Sequence, residues 1–242
     1  RIKMVMKIYN NANLNRKHLN GVIAVGNFDG LHIGHQKVIN EARRKAKKLK
    51  LPLGVMTFEP VPVMFFSKKN KLPFGVMTFE PVPVMFFNKK IKNHRVNSLN
   101  QKKYYLKKLK LDFLIIVKFN KIFSSLTAEE FIENIIYKKI NCKYVYISRN
   151  FKFGFKRRGN LKTLKFFENK FGYKSIITKP HKKDKKIISS TMIRKKIISG
   201  KINEANKLLG RKWSVEGKVI EGKKRGRKIG FPTCNLKLKN YV

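Results

Sequence analysis

Residues Gly26–His35 read GNFDGLHIGH, and they join an apolar, strand-like stretch, Val22–Val25, to a helix-like stretch. Backbone N–H groups at a helix start have no intrahelical acceptor, and the helix dipole favours negative charge there. His32 and His35 lie three residues apart, so they face one side of the helix start. Because imidazole donates hydrogen bonds and titrates near neutral pH, the stretch predicts a site where the pair binds a phosphate whose charge is changing.

A histidine pair at this spacing is also compatible with a metal site or with ordinary surface side chains. The remaining histidines lie in Lys-rich segments, and neither Cys142 nor Cys234 has a partner at metal-ligand spacing. The preceding strand, together with Gly26, Asp29 and Gly34, favours the anion site. Neither a P-loop nor a Gly-x-Gly-x-x-Gly fingerprint is present in the sequence.

The chain is strongly basic, with 58 Lys and Arg against 13 Asp and Glu in 242 residues, a formal charge of +45. The basic residues are spread along the whole chain and Lys predominates, which indicates a compositional bias rather than a nucleic-acid groove. We therefore expect non-specific binding to polyanions and no specific nucleic-acid partner. No N-terminal apolar segment is long enough for a signal peptide or a membrane span, so a cytoplasmic, non-membrane protein is expected.

Strand-like and helix-like patterns alternate along the chain. The predicted strands are Val22–Val25, Leu53–Phe58, Phe113–Val117 and Tyr144–Ile147. The predicted helices are Gln36–Leu49, Asn100–Leu109 and Ala128–Tyr137, the last with Thr127 as N-cap. Continuous apolar strands that alternate with helices predict an α/β fold with a doubly wound parallel sheet. Ligands bind at the carboxyl ends of strands in such sheets, where the histidine turn would lie.

Residues 51–71 recur almost unchanged as residues 72–92. The two copies differ only at Leu53/Phe74, Ser67/Asn88 and Asn70/Ile91. Two copies are too few for a solenoid, and the near identity indicates either a recent tandem duplication or an error in the sequence. Only one copy is needed to fill the second strand position of the sheet.

Residues Ile188–Arg194 read ISSTMIR and follow a Lys-rich loop at the start of a predicted helix that runs toward Ile198. On its own, a Ser/Thr run at a helix start is an ordinary N-cap. Together with the histidine turn, it favours a second phosphate site, where hydroxyl and N–H groups bind phosphate oxygens and Arg194 neutralises charge.

The two motifs together resemble those of the nucleotidylyltransferase superfamily. Three further stretches narrow the resemblance to bacterial bifunctional riboflavin kinase/FAD synthetases. Phe58-Glu59-Pro60, with its copy Phe79-Glu80-Pro81, resembles the family's second-strand motif. Asn150–Gly154, with Arg157 behind it, resembles the family's Asp/Asn-Phe-Arg-Phe-Gly segment. Residues 217–235, which contain RGR and GFPTCN, resemble the opening of a riboflavin kinase domain.

The resemblance implies a Rossmann-like sheet of the nucleotidylyltransferase type, followed by the start of a small β-barrel domain. Residues 1–210 would form the FMN adenylyltransferase domain, with the duplication inside it, and residues 211–242 an N-terminal fragment of a riboflavin kinase domain. The family transfers AMP from ATP to FMN, giving FAD and pyrophosphate, with Mg²⁺ as cofactor. The full-length family also phosphorylates riboflavin to FMN, an activity not expected here because residues 211–242 supply too few strands for a barrel.

The resemblance also assigns residue roles. The candidate catalytic residues are His32, His35 and Arg194. The candidate ATP- and phosphate-binding residues are Gly26, Asn27, Phe28, Asp29, Gly34, Ser189, Ser190 and Thr191. The candidate flavin-binding residues are Phe58, Pro60, Asn150, Phe151 and Arg157, and the kinase-type remnant comprises Gly222, Arg227, Thr233 and Asn235. No side chain is expected to bind metal directly, because the phosphates of ATP would hold Mg²⁺.

The chain departs from the family pattern at Val61 and Val82, where a histidine is usual. Two alternatives to FAD synthesis stay open at this point. One is another adenylyltransferase of the superfamily, with nicotinate mononucleotide or phosphopantetheine as acceptor. The other is a degenerate, non-enzymatic product of a duplicated and truncated gene.

Overall fold

The computed structural model describes residues 6–49, 53–57, 76–80, 83–88, 90, 94–183, 186–222, 225–231, 233–238 and 241–242. Its centre is a parallel sheet. The strands of this sheet are β1 Lys7–Tyr9, β2 Val22–Val25, β3 Leu53–Thr57, β4 Val76–Glu80, β5 Phe113–Lys118, β6 Tyr144–Ser148 and β7 Lys174–Thr178. They lie in the order β1, β5, β3, β2, β6, β7, and β4 also pairs with β2 and β5. Two antiparallel hairpins lie outside it: β8 Lys182–Lys183 with β9 Lys186–Ile187, and β10 Lys218–Ile220 with β11 Asn235–Lys237.

Helices connect these strands. They are α1 Ile33–Lys48, α2 Pro83–Phe87, α3 Leu99–Lys108, α4 Lys121–Ser125, α5 Ala128–Glu130, α6 Leu161–Phe166, α7 Glu168–Phe171, α8 Ser190–Ile198, α9 Ile202–Leu209 and α10 Arg225–Lys228. Helix α5 continues in π-helical form over Phe131–Ile140. Among the residues described, no helix has both the length and the apolar composition needed to cross a bilayer.

Both faces of the sheet are covered, which confirms the predicted α/β class with a parallel sheet. On one face, Ile23 and Val25 of β2 pack in a core with the Phe131–Ile140 segment. On the other face, Val22 and Ala24 pack against α1. Because alternate side chains of one strand enter two different cores, the strand reads as a continuous apolar run. The predicted β-barrel stays a prediction, since the hairpin β10–β11 has its backbone paired but its side chains exposed.

The strands that sequence analysis missed lie at the edges of the sheet. The two edge strands, β1 and β7, begin with a Lys and have exposed or partly exposed positions, so neither reads as a buried run. The central helix α1 agrees closely with its pattern, because Val38, Ile39, Ala42 and Ala46 are its buried positions. It begins at Ile33, three residues before the predicted start, because His32 acts as its N-cap.

The two copies of the repeat occupy one position in the sheet. Val55 of β3 and Val76 of β4 are equivalent residues of the repeat, and both align with Ala24 of β2. Both strands also pair with β5 on the other side. A position between two neighbouring strands accommodates one strand, so β3 and β4 are alternative occupants of the same position.

A third apolar cluster fixes the helices that follow the sheet against the histidine turn. Buried residues of α8 and α9, including Ile193, Ala205 and Leu209, pack with Val96. Gly30 lies against this cluster, since a Cβ at that position would meet the Val96 side chain at 3.0 Å. The start of α8 therefore lies beside the turn that precedes α1.

Candidate active site

The turn between β2 and α1 has an unusual backbone. Residues Asp29–Leu31 form a single 3₁₀ turn in which Gly30 has φ +74° and Leu31 has φ +39°. His32 follows as the N-cap of α1, and its ring Nδ1 accepts a hydrogen bond from the His35 N–H at 3.3 Å. Gly34 lets the ring lie close to the helix start, because a Cβ there would approach the His32 ring to 3.1 Å and displace it by a few tenths of an ångström. The turn thus fixes the position of the His32 ring against the helix start.

The two histidine rings are stacked, with centroids 3.6 Å apart, and Phe28 packs edge-on against His35. Burial and, to a smaller extent, the charge of Arg211 lower the pKa of His32 to about 3. Burial also holds the pKa of His35 well below its usual range, with smaller effects of His32 and Lys102. Both rings are therefore neutral near pH 7, which differs from the charge change near neutrality that the sequence alone suggests.

Helix α8 is joined to the turn by an ion pair. Arg194 Nη1 donates to Asp29 Oδ2 at 2.8 Å, and both side chains are largely buried. The other carboxylate oxygen, Asp29 Oδ1, accepts from the Val96 N–H at 3.2 Å. Ser190 Oγ donates to the Asp29 carbonyl at 2.9 Å. Asp29 therefore holds three segments together and does not itself line the neighbouring cavity.

The hydroxyls at the start of α8 already have partners within the protein. Ser189 Oγ caps the helix by accepting from the Met192 N–H at 3.2 Å. Thr191 Oγ1 lies 3.5 Å from Arg194 Nη2. The ordinary N-cap that the sequence left open for Ser189 is thus present. The first N–H groups of the helix have no intrahelical acceptor, so they still present donors at this end.

A cavity of about 690 Å³ collects most of the predicted site residues. From the histidine turn it is lined by Gly26, Asn27, Phe28, His32, Gly34 and His35; from the start of α8 by Ser189, Ser190, Thr191 and Arg194; and from the loop after β6 by Asn150, Phe151 and Arg157. Sequence analysis had placed these residues in three separate motifs. The parallel sheet brings them to one edge.

The opposite wall of the cavity is aromatic. The rings of Phe119 and Phe123 have centroids 5.8 Å apart, Phe123 lies 6.1 Å from Phe131, and Phe131 lies 5.1 Å from Phe153. Phe153 is stacked with Phe151 at 5.6 Å. This aromatic wall, Phe119, Phe123, Phe131, Phe151 and Phe153, is apolar, and each of its rings contacts the next.

Other lining residues were missed by sequence analysis because no motif marks them. Lys152, Lys179 and His181 line the cavity, as does Thr178, whose buried hydroxyl has no hydrogen-bond partner in the described part of the chain. None of the lining residues that the structure describes is acidic. No group of three or more potential metal ligands occurs among the described residues.

Some predicted residues lie elsewhere. Phe58 and Pro60 fall outside the described residues, although Pro83 and Phe87 of the second repeat copy line the cavity. The kinase-type remnant, Gly222, Arg227, Thr233 and Asn235, is exposed and lies on or beside the hairpin β10–β11. Gly222 lies against the Asn235 side chain. The remnant is therefore not part of the cavity.

Two family models match the chain. The FAD synthetase model matches residues 14–72 and 66–192, and the riboflavin kinase model matches residues 209–242. The two FAD synthetase matches meet and overlap inside the duplicated segment.

Several relatives match nearly the whole chain. The bifunctional riboflavin kinase/FMN adenylyltransferase of Buchnera aphidicola subsp. Schizaphis graminum is 37% identical over 242 residues, which is 100% of this chain and 70% of the relative. The protein of the same name from Haemophilus influenzae is 36% identical over 95% of this chain and 68% of its own length. A crystal structure described as a macrolide-efflux protein from Streptococcus pneumoniae superimposes with a TM-score of 0.73 at 31% identity, covering 98% of this chain and 70% of that one. By its sequence, this chain belongs to the bifunctional riboflavin kinase/FMN adenylyltransferase family.

Proposed function

We propose that the cavity binds ATP and FMN together and transfers AMP from ATP to FMN, giving FAD and pyrophosphate. The observation that supports this function most strongly is that a single cavity has two chemically different ends. One end has helix N-termini, hydroxyls, histidines and Arg194, which suit phosphates. The other end is the aromatic wall, which suits a flat ring system such as the isoalloxazine of FMN. Family membership supports the same two substrates.

The reaction is a direct transfer. A phosphate oxygen of FMN attacks the α-phosphorus of ATP, a new O–P bond forms, and the bond from the α-phosphorus to the bridging oxygen of pyrophosphate breaks. Phosphate is already a competent nucleophile, so the protein needs no covalent intermediate. Its contribution is to align the two phosphates and to stabilise the charge that develops at the α-phosphorus.

The neutral histidines act as hydrogen-bond donors at the triphosphate. Because His32 Nδ1 accepts from the His35 backbone, we assign its proton to Nε2, which leaves Nε2–H as a donor. His35 Nδ1 is buried and has no partner in the described part of the chain, as expected for a group whose partner is a ligand. A neutral donor stabilises the transferring phosphate without a proton transfer.

The start of α8 binds the β- and γ-phosphates in this scheme. Its N–H groups carry the positive end of the helix dipole, and Arg194 adds a full charge beside them. The ion pair with Asp29 fixes the guanidinium before the nucleotide arrives, so little conformational freedom is lost on binding. Asp29 is thus a positioning residue, and Arg194 contacts the leaving pyrophosphate.

The loop after β6 holds FMN. Phe151 presents a ring to the cavity while packing against the core, and its N–H donates to the Ser148 carbonyl at 3.0 Å, which fixes the loop. Asn150 and Arg157 lie on the same side of the cavity and supply polar contacts for the flavin or its phosphate. Phe58 and Pro60 stay flavin-binding candidates on the family resemblance alone.

Mg²⁺ fits the residues that line the cavity only as an ion bound to the phosphates of ATP. The described lining residues include hydroxyls and amides and no carboxylate, so the residues present suit an ion held by phosphate oxygens. When bound there, Mg²⁺ would neutralise part of the triphosphate charge.

The remaining assignments follow from the same function. We assign residues 1–210 to the adenylyltransferase domain and residues 211–242 to a riboflavin kinase-type domain. In the family's full-length form, that domain phosphorylates riboflavin to the FMN that the cavity consumes. A cytoplasmic location suits both substrates, and the charge of +45 supports non-specific binding to polyanions.

The test is a comparison of acceptors with purified protein. With ATP, Mg²⁺ and FMN, we expect FAD and pyrophosphate in equal amounts by chromatography. With nicotinate mononucleotide or phosphopantetheine in place of FMN, we expect no adenylylated product. A preference for either of these acceptors would identify a different adenylyltransferase, and no product from a folded protein with any acceptor would indicate a degenerate enzyme.

A further inference from the structure

Arg211 lies in the stretch that matches the riboflavin kinase model, yet its guanidinium contacts the histidine turn. Its Nη2 donates to the Gly30 carbonyl at 2.6 Å and to Asn97 Oδ1 at 2.7 Å. Its Nη1 donates to the Leu31 carbonyl at 3.4 Å and to the Leu209 carbonyl at 3.3 Å. One side chain thus joins the turn, the end of α9 and the loop before α3.

The turn needs such support because its backbone is strained. Leu31 has φ +39°, a conformation that non-glycine residues adopt only when their surroundings hold them in it. The carbonyls of Gly30 and Leu31 accept their hydrogen bonds from side chains. Gln36 Nε2 supplies one more donor, to the Leu31 carbonyl at 3.0 Å. Arg211 supplies donors to both carbonyls.

The guanidinium is itself fixed in place. It lies over the Tyr105 ring, 3.9 Å from the ring centre, and this contact orients its donors toward the turn. The next residues reinforce the arrangement, because Trp213 Nε1 donates to the Val96 carbonyl at 2.9 Å, and the Val96 N–H binds Asp29. The stretch from Arg211 to Trp213 therefore contacts the turn directly and also holds Val96, the residue whose N–H binds the Asp29 carboxylate.

We propose that Arg211 is a positioning residue for adenylyl transfer, which holds the Gly30–Leu31 backbone so that the His32 ring meets the triphosphate. The proposal rests on the proposed function and extends it, because a residue at the start of the kinase-type stretch builds part of the adenylyltransferase site. His32 directly follows the two carbonyls that Arg211 binds, so a shift of this backbone moves the ring. Misplacement of a contacting group by about 1 Å is enough to slow an enzymatic step severely.

The test is the substitution Arg211→Lys, which keeps the charge and removes the fork of parallel donors. We expect kcat/KM for ATP to fall about tenfold, while the affinity for FMN, measured by flavin fluorescence, stays within about twofold. The matched control is Arg43→Lys. Arg43 Nη1 also donates to a backbone carbonyl, that of Leu109, at 3.3 Å, and it lies away from the cavity. This control is expected to leave kcat/KM unchanged.

A second measurement is independent of turnover. In protein with isotope-labelled histidine, Arg211→Lys should shift the ring resonances of His32 and leave those of the distant His18 in place, whereas Arg43→Lys should shift neither. Equal kinetic effects of the two substitutions, or unmoved His32 resonances in Arg211→Lys, would overturn the proposal. If the wild-type protein forms no FAD, the proposed function fails. The His32 resonances in Arg211→Lys still show whether Arg211 positions the His32 ring.

Discussion

The chain contains two stretches with the composition of a phosphate site, and the structure treats them differently. The histidine turn is buried and joined to three other segments through Asp29, Arg194 and Arg211. The stretch from β10 to β11 has glycines, arginines and a threonine as well, but its large apolar side chains are exposed, with Val219 at 64% and Phe231 at 76%. The same residue types therefore give a braced site in one place and an open hairpin in the other.

The difference shows that a motif becomes a site through its supporting contacts. A hydrogen-bond donor contributes to a reaction when it is held in place before the substrate arrives. In the cavity, an ion pair, a helix cap and a guanidinium hold the donors. Around the hairpin, the described residues provide no comparable support.

The largest expected effect concerns the hairpin. Given riboflavin, ATP and Mg²⁺, this 242-residue chain should form no FMN, because the remnant residues are exposed and no described cavity places a flavin against them. The same preparation given FMN should form FAD, which serves as the control for folding. FMN production from riboflavin would show that the hairpin is a working site. The difference proposed between the histidine turn and the hairpin would then be wrong.

The next effect concerns His35. His35→Ala should lower the rate of FAD formation by roughly 10²-fold, the usual loss for one donor at a transition state. Two control substitutions accompany His35→Ala. Thr233→Ala in the exposed hairpin should leave the rate unchanged. His18→Asn should lower thermal stability, because it removes the buried hydrogen bond between the Tyr9 hydroxyl and His18 Nδ1, 2.6 Å apart. It should leave the rate of FAD formation by the folded protein unchanged. Equal losses in His35→Ala and Thr233→Ala would contradict the account.

A smaller effect is expected from removing either repeat copy. Deletion of residues 51–71 and deletion of residues 72–92 should each leave FAD formation within about twofold of the full chain. The reason is that β3 and β4 are alternatives for one strand position, and the bracing of the histidine turn involves neither. Each deletion is the matched control for the other. Loss of folding in both deletions, measured by circular dichroism, would show that the sheet needs both copies.

The smallest effect is an absence of titration. With the pKa of His32 and that of His18 both lowered to about 3 by burial, each ring is neutral above that value. Their NMR resonances should therefore stay constant from pH 8 to pH 5. Unfolded protein, in denaturant, should titrate near pH 6.5 and serves as the control. A transition of His32 near pH 6.5 in the folded protein would mean that its ring is solvated and charged in acid.

Local patterns predicted much of this structure. The apolar spacing of α1 identified its four buried residues, and the capping box of Thr127 and Glu130 marked the start of α5. Both signals are contained within a single helix, so they can be read from a short stretch of sequence. The three site motifs were recognised for the same reason.

Contacts between distant segments could not be predicted in this way. Asp29 and Arg194 are separated by 165 positions, and Arg211 lies 181 positions from Gly30. The aromatic wall combines rings from the segment after β5 to the loop after β6, and no sequence motif marks Phe119, Phe123 or Phe131 as part of it. The histidine pKa values depend on burial, which only the packed structure determines.

The most direct test of the account is a crystal structure of the protein with FMN and a non-hydrolysable analogue of ATP. We expect the triphosphate to lie between the start of α8 on one side and the stacked rings of His32 and His35 on the other. The flavin should lie against the aromatic wall, with the FMN phosphate facing the α-phosphorus. A triphosphate bound away from the histidine turn, or a flavin seated on the exposed hairpin with the cavity empty, would contradict it.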